Sequence, residues 1–384
     1  MAHIDTAVSP GISPGISPGI SPGLWALAWR RLRADTVAMV ALAIVVAYLV
    51  TLALSATGLV ASNWADEVGV NYAPPTFMGA QSAAERGASP IEPGLAALPP
   101  ENPLDPLKDI IRELRAQTVS QQPVIVNDYG IPDPIGAELA EVRADIAKGG
   151  AAKAAIVRKE TLPFGADKWG HDILQKTIKG AETSIVVGLV AALLATFLGT
   201  VFGAFSGYFG GKVDDLFNWF YSIFTSVPYL LLILAVAAVL QQKGVVTIVL
   251  ILGLTGWTGT YRLIRAEYLK HKNREYVWAA DAIGASHMRK MFTHIFPNVS
   301  HVALVQVSIL VVGFIKAEVI LSFLGFGVPV GTVSWGSMLN EAQNELILGK
   351  WWQLVAASVA MAVLVTAFSL FTDALRDALD PKLK

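Results

Sequence analysis

The chain has 384 residues, 54% apolar and only 15% charged, with a formal net charge of -1. That balance is too apolar for a soluble domain of this length and is typical of an integral membrane protein. Without cysteine there are no disulfides, thiolate metal sites or cysteine nucleophiles, and the near-neutral net charge points to no partner by itself, nucleic acid included.

In chain order, residues 1–24 come first, with a Ser-Pro-Gly-Ile repeat that ends in Leu24. A proline every fourth residue forbids helix, so a disordered cytoplasmic tail is expected. Residues 25–60 read as a basic surface helix, WALAWRRLR, followed by a first membrane span from Thr36 to about Val60. The apolar run is too long for a signal-peptide core of about 7–15 residues, so it reads as a retained span. Residues 61–168 are rich in proline and hold nothing that could cross a bilayer. They read as a periplasmic insertion of roughly 100 residues, with possible helices at Leu107–Gln117 and Ile135–Arg158.

Five further spans are expected in the remainder, 169–384: Ser184–Tyr208, Leu216–Leu240, Val245–Leu263, Val299–Leu324 and Gln353–Phe371. Gly199, Gly203 and Gly207 set small residues four apart in the first of these, a spacing that lets helices approach closely. The short loops carry their lysines and arginines on one side: Arg30, Arg31, Arg33, Lys212, Arg262, Arg265, Lys270, Arg289, Lys290 and Arg376 among them. The positive-inside rule then puts both termini and the stretch 262–298 in the cytoplasm, and the insertion outside.

The stretch 262–298 is the unusual one, polar and basic between two apolar runs. Tyr276, Ala279, Ala280 and Ile283 form a helical stripe, and Met288, Met291, Phe292 and Ile295 repeat it. Gly284 suits a left-handed helix end and Ser286 a cap for the next helix; Pro297, followed by Asn298, is expected to interrupt the second run. The reading is helix, turn, helix, with something docking on it from outside the membrane.

Catalytic readings fail. GGKVDD around Lys212 lacks the first glycine and the terminal Ser or Thr of a phosphate loop, so any ATP must be bound by another subunit. His287, His294 and His301 recur every seven residues without a carboxylate to complete a ligand set. Lys316 and Glu318 interrupt an apolar span, which marks them as possible lining of a substrate path. Counted from Val299, Lys316 lies roughly 26 Å along the helix, near the outer boundary, where its ammonium can snorkel.

EYVWAADAIGAS followed by RKMFTHIFPN resembles the "EAA" loop of ABC-importer permeases, whose pattern runs Glu-Tyr-Val-x-Ala-Ala-x-x-x-Gly-Ala-Ser and ends His-x-x-Pro-Asn. FGADKWGHDIL, GYFGGKVDD, SVPYLLL, LSFLGFGVP, SWGSML and LRDALDPKLK extend the similarity to the dipeptide/oligopeptide/nickel permease family, C-type subunit. The resemblance implies an all-α, six-span permease of the bacterial inner membrane, which is not an enzyme and holds no cofactor itself. It implies coupling helices formed by Glu275, Tyr276, Ala279, Ala280, Gly284, Ala285, Ser286, Arg289, His294, Pro297 and Asn298. It further implies a second homologous permease, two cytoplasmic subunits that bind ATP and Mg, and a periplasmic or lipid-anchored substrate-binding protein. Peptide is the expected substrate, with nickel or another small solute as the alternative. The departures are Ala181-Glu182 in place of Ala-Arg, Lys316 in place of a small or apolar residue, and a much longer insertion. An ion-gradient transporter or channel is the competing class; it predicts paired charges near mid-membrane and no docking loop.

Overall fold

A computed structural model describes residues 24–79, 158–329 and 331–379. The expected tail, except Leu24, and the two expected insertion helices, except Arg158, lie outside the described residues. Asp172 accepts a hydrogen bond from the Leu174 amide and so caps a 37-residue helix, Ile173–Phe209 (α3). Before it come α1 (Leu24–Ala34) and α2 (Thr36–Ala56), the latter capped by Asp35. After it come α4 (Gly211–Thr225), α5 (Tyr229–Leu240), α6 (Val245–Thr255), α7 (Thr258–His271) and α8 (Glu275–Ala282). The series continues with α9 (His287–Phe323), α10 (Trp335–Ile347) and α11 (Trp352–Leu379).

Five of these elements are long and apolar enough to cross a membrane: α2, α3, α6 with α7, α9 and α11. The third expected span departs from expectation. Instead of one helix over Leu216–Leu240, α4 and α5 meet at 83° across Ser226–Pro228. Pro228 has no amide hydrogen to continue the ladder and restricts the residue before it, so the helix ends there and restarts in a new direction. The fourth expected span is likewise two helices, broken at Gly256–Trp257, and it runs on to His271.

α3 is the post against which the others pack. A Cβ on Gly199 would lie 2.6 Å from the Trp257 carbonyl, on Gly203 2.8 Å from that of Tyr261, and on Gly207 2.6 Å from that of Arg265. The three glycines therefore let α7 lie against α3 at backbone distance. The pair is fastened near its end by Arg265, which donates from Nε and a terminal nitrogen to the two Asp214 oxygens at 2.6 Å each. Ser206 donates to the same carboxylate, and Tyr261 bonds both Ser206 and Asn218. The GGKVDD segment thus contributes a half-buried structural ion pair through Asp214.

At the other end, 61–79 and 158–172 close on each other. The Gly69 amide bonds the Gly170 carbonyl at 2.9 Å, the Val70 amide that of Lys159 at 3.0 Å, and the Thr76 amide that of Leu162 at 2.9 Å. Ala73, Leu162 and Ala166 are buried between them. Lys176 ties this base to the bundle, with Nζ 2.7 Å from Asp167 and 2.6 Å from Glu341 of α10.

Candidate functional site

Glu275, Tyr276, Ala279, Ala280, Gly284, Ala285, Ser286, Arg289, His294, Pro297 and Asn298 all fall on α8, the turn after it, and the first turns of α9. α8 ends in a Schellman motif: the Gly284 amide bonds the Asp281 carbonyl at 2.9 Å, and the Ala285 amide bonds the Ala280 carbonyl at 3.0 Å. Gly284 has φ +79°, while a Cβ added there would meet nothing within 4 Å. Glycine is required by the backbone, not by crowding. Ser286 accepts from the Arg289 amide at 3.3 Å and starts α9. Across the turn, Lys290 pairs with Asp281, and this hydrogen bond and charge hold the Asp281 carboxyl below the usual carboxylate range.

Pro297 does not interrupt the second run. Residues 290–295 adopt the wider π-helical turn, and α9 then continues unbroken to Phe323. Pro297 sits in the first turn of the regular helix that follows, where its missing amide hydrogen costs least. Asn298 donates to the His294 carbonyl at 2.8 Å.

Neither stripe faces one way as a whole. Only Ala280 of the first set is buried, together with Val277; Tyr276, Ala279 and Ile283 are exposed. In the second set Met291 and Ile295 are buried, but Met288 and Phe292 are not. Met291, Ile295 and Val299 recur every four residues through the π turn and lie on one side. That side packs with Ala204 of α3 and with Ile264 and Tyr268 of α7. Tyr268 donates to the Met291 carbonyl at 3.1 Å, and Tyr208 of α3 bonds His287 at 3.0 Å. The helix pair is therefore fastened to two membrane helices while Trp278, Ile283 (82% exposed) and Met288 point away from the chain. Trp278, Tyr208 and Tyr268 escaped the sequence reading; the two tyrosines lie in other elements, and only the fold brings them here.

Lys316 and Glu318, expected together on a path, are separated. Glu318 is fully buried and accepts from Ser184 of α3 and Ser322 of its own helix at 2.6 Å each. Ser184 in turn accepts from the Trp335 amide that opens α10. Glu318 is thus a staple between three helices, fully buried within this chain. Lys316 is exposed, on the same face of α9 as Gly313 and Ile320. Of the three histidines, His287 is held by Tyr208, and among the described residues no group of three or more His, Cys, Asp or Glu is placed to hold a metal ion.

The helices crossing the membrane around α3, with a helix pair at one end, define a polytopic membrane permease. Residues 199–384 match the family model described as binding-protein-dependent transport system inner membrane component, and residues 23–75 match the N-terminal TM domain of oligopeptide transport permease C. Over 221 residues the chain is 37% identical to the dipeptide transport system permease protein DppC of Bacillus subtilis, covering 58% of this chain and 69% of the relative. It is 38% identical to the oligopeptide transport system permease protein OppC of the same organism, covering 58% and 72%. For OppC of Escherichia coli K12 the identity is 37% over 219 residues, covering 57% and 72%. The chain belongs to the binding-protein-dependent transport system inner membrane component family and is the permease subunit of an ABC importer.

Proposed function

We propose that this chain translocates dipeptides or oligopeptides across the bacterial inner membrane, driven by ATP hydrolysis on partner subunits. The observation that carries the mechanism is the outward apolar face of Trp278, Ile283 and Met288 on a helix pair anchored to α3 and α7. An exposed apolar face of this kind calls for a partner surface. A cytoplasmic ATP-binding subunit would cover it, and closure of two such subunits would move α3, α7 and α9 as rigid bodies between outward- and inward-open states. Glu275 and Arg289, both exposed at the edges of that face, are suited to set its register on the partner. A second permease would complete the path, with Lys316 and its face of α9 as candidate lining. A substrate-binding protein would deliver peptide at the opposite end, beside the base of the insertion. Peptide as the cargo rests on the names of the relatives.

The chain has no cysteine of its own, so Trp278→Cys gives a single reactive thiol. In the assembled transporter this thiol should crosslink to a cysteine engineered in the ATP-binding subunit, with a yield that changes on adding ATP. Full maleimide labelling of the introduced thiol in the assembled complex, with no crosslink, would overturn the docking assignment. Uptake into proteoliposomes containing the cognate binding protein should be seen with labelled tripeptide. Uptake of nickel ion without peptide would overturn the cargo while leaving the mechanism intact.

A further inference from the structure

A cavity of about 730 Å³ opens between α7, α9 and the end of α11, on the same end of the bundle as the coupling helices. Lys270, His271, Arg274, His301 and Arg376 line it. One carboxylate, Glu267, faces them, 3.1 Å from Lys270 and 3.6 Å from His271. Among the described residues Arg274 and Arg376 make no ion pair, so two positive charges converge on a concave surface without compensation. Lys270, Arg274 and His301 all lie within electrostatic reach of His271, so the cations are gathered and not scattered.

Apart from Asn298 and Gln306, the rest of the lining is apolar and runs inward. Leu263, Val302 and Ile309 form the wall, and along α9 the cavity extends from Asn298 to Ile309. Eleven residues of helix correspond to about 16 Å, roughly half of the ~30 Å hydrocarbon layer. A free phosphate or a soluble anion would use only the cationic rim and leave the wall bare. An amphiphile with an anionic head and an acyl chain uses both.

We propose that this cavity is a binding site for an anionic phospholipid, its phosphate at Arg274 and Arg376 and one acyl chain along Leu263, Val302 and Ile309. A basic pocket between membrane helices at the interface is a recurrent form of headgroup recognition. The bound lipid would fill the space between α7 and α9, the two helices that carry α8 between them. It would thereby set the resting angle of the helix pair. The site stands whatever solute the permease carries.

The test uses the full chain co-expressed with its partner subunits, with assembly checked by size exclusion. Native mass spectrometry with added dioleoylphosphatidylglycerol or dioleoylphosphatidylcholine should show selective retention of the phosphatidylglycerol. Arg274→Gln with Arg376→Gln should weaken that retention about twenty-five-fold, two factors of about five. Arg274→Lys with Arg376→Lys should keep most of it. In an otherwise unaltered chain, a benzophenone amino acid replacing Ile309 should yield a phospholipid adduct on illumination. Equal retention by wild type and the Gln pair would overturn the proposal. So would displacement of the lipid by millimolar inorganic phosphate, which identifies a simple anion site. A photoadduct formed only with polypeptide would overturn it too, by making the cavity a protein interface.

Discussion

The Tyr268 hydroxyl donates to the Met291 carbonyl at 3.1 Å, joining a membrane helix to the π-helical turn from which α9 starts. Both residues are fully buried, so the bond is shielded from water and defines where the helix pair sits on the bundle. Removing the hydroxyl leaves a carbonyl inside the widened turn without this donor. Tyr268→Phe should cost about 1 kcal/mol of stability and reduce ATP-coupled uptake more than it reduces the ATPase rate. Parallel uptake and ATPase measurements in proteoliposomes check this; an unchanged ratio of the two would count against a transmitting role for the contact.

Gly284 offers a cleaner separation of causes. With φ +79° and open space around its Cβ position, substitution there strains the backbone and touches nothing else. Gly284→Val should therefore lower coupling strongly, at a cost of about 1–2 kcal/mol or more, while Gly284→Asn, which tolerates the left-handed region, should be close to wild type. Membrane insertion should be unaffected in both. Equal loss in the two variants would show that the glycine serves contact with a partner and not the turn.

At Gly203 the opposite logic holds, because an added Cβ would press on backbone atoms of Tyr261 and Arg265. Gly203→Ala should destabilise the α3–α7 pair by about 1–3 kcal/mol, visible as a lower melting temperature in detergent. Alanine at Gly284 should shift it less. Reversal of that order would mean that α3 and α7 do not hold this spacing in the membrane.

Glu345 of α10 supplies a pH dependence. Both of its oxygens are buried without a hydrogen-bond partner; the Lys168 amide faces them from the base of the insertion without reaching hydrogen-bond geometry. Burial pushes its carboxyl up to about 7, reinforced by Asp167 and Glu341 and opposed by Lys176. The folded value exceeds the unfolded one, so the folded state holds the extra proton. Stability then falls as pH rises from about 4.5 to about 7 and stays low above that, by about 3 kcal/mol at most. Glu345→Gln should raise the melting temperature at pH 8 and leave it nearly unchanged at pH 4.5. A variant that behaves like wild type at pH 8 would show the carboxyl to be hydrated.

The architecture was largely legible in the sequence, because ~20-residue apolar runs and loop charges report on the membrane directly. Gly199, Gly203 and Gly207 were readable for the same reason: their effect depends on spacing within one helix. What escaped depends on distant parts of the chain. A 3.6-residue period groups Tyr276, Ala280 and Ile283 in one stripe, yet only Ala280 of these is buried, because an eight-residue helix takes its rotation from what holds its ends, here Lys290 and the π turn. Glu318 reads as an intramembrane charge until Ser184, 134 positions earlier, is brought beside it. Pro228 could have been weighed more heavily, since proline inside an apolar run is a local signal for a break.

The closed base at Pro75 and Leu162 has a consequence for how such a chain can vary. Residues 79 and 158 leave and re-enter one fastened patch, so an excursion of any length is spliced in at a junction already paired by the main chain. Lengthening a loop between fixed ends adds only a logarithmic entropic penalty, and the main-chain bonds at the junction hold those ends together. The surface built on this patch can therefore be extended, shortened or exchanged as a cassette while the helices beneath keep their register.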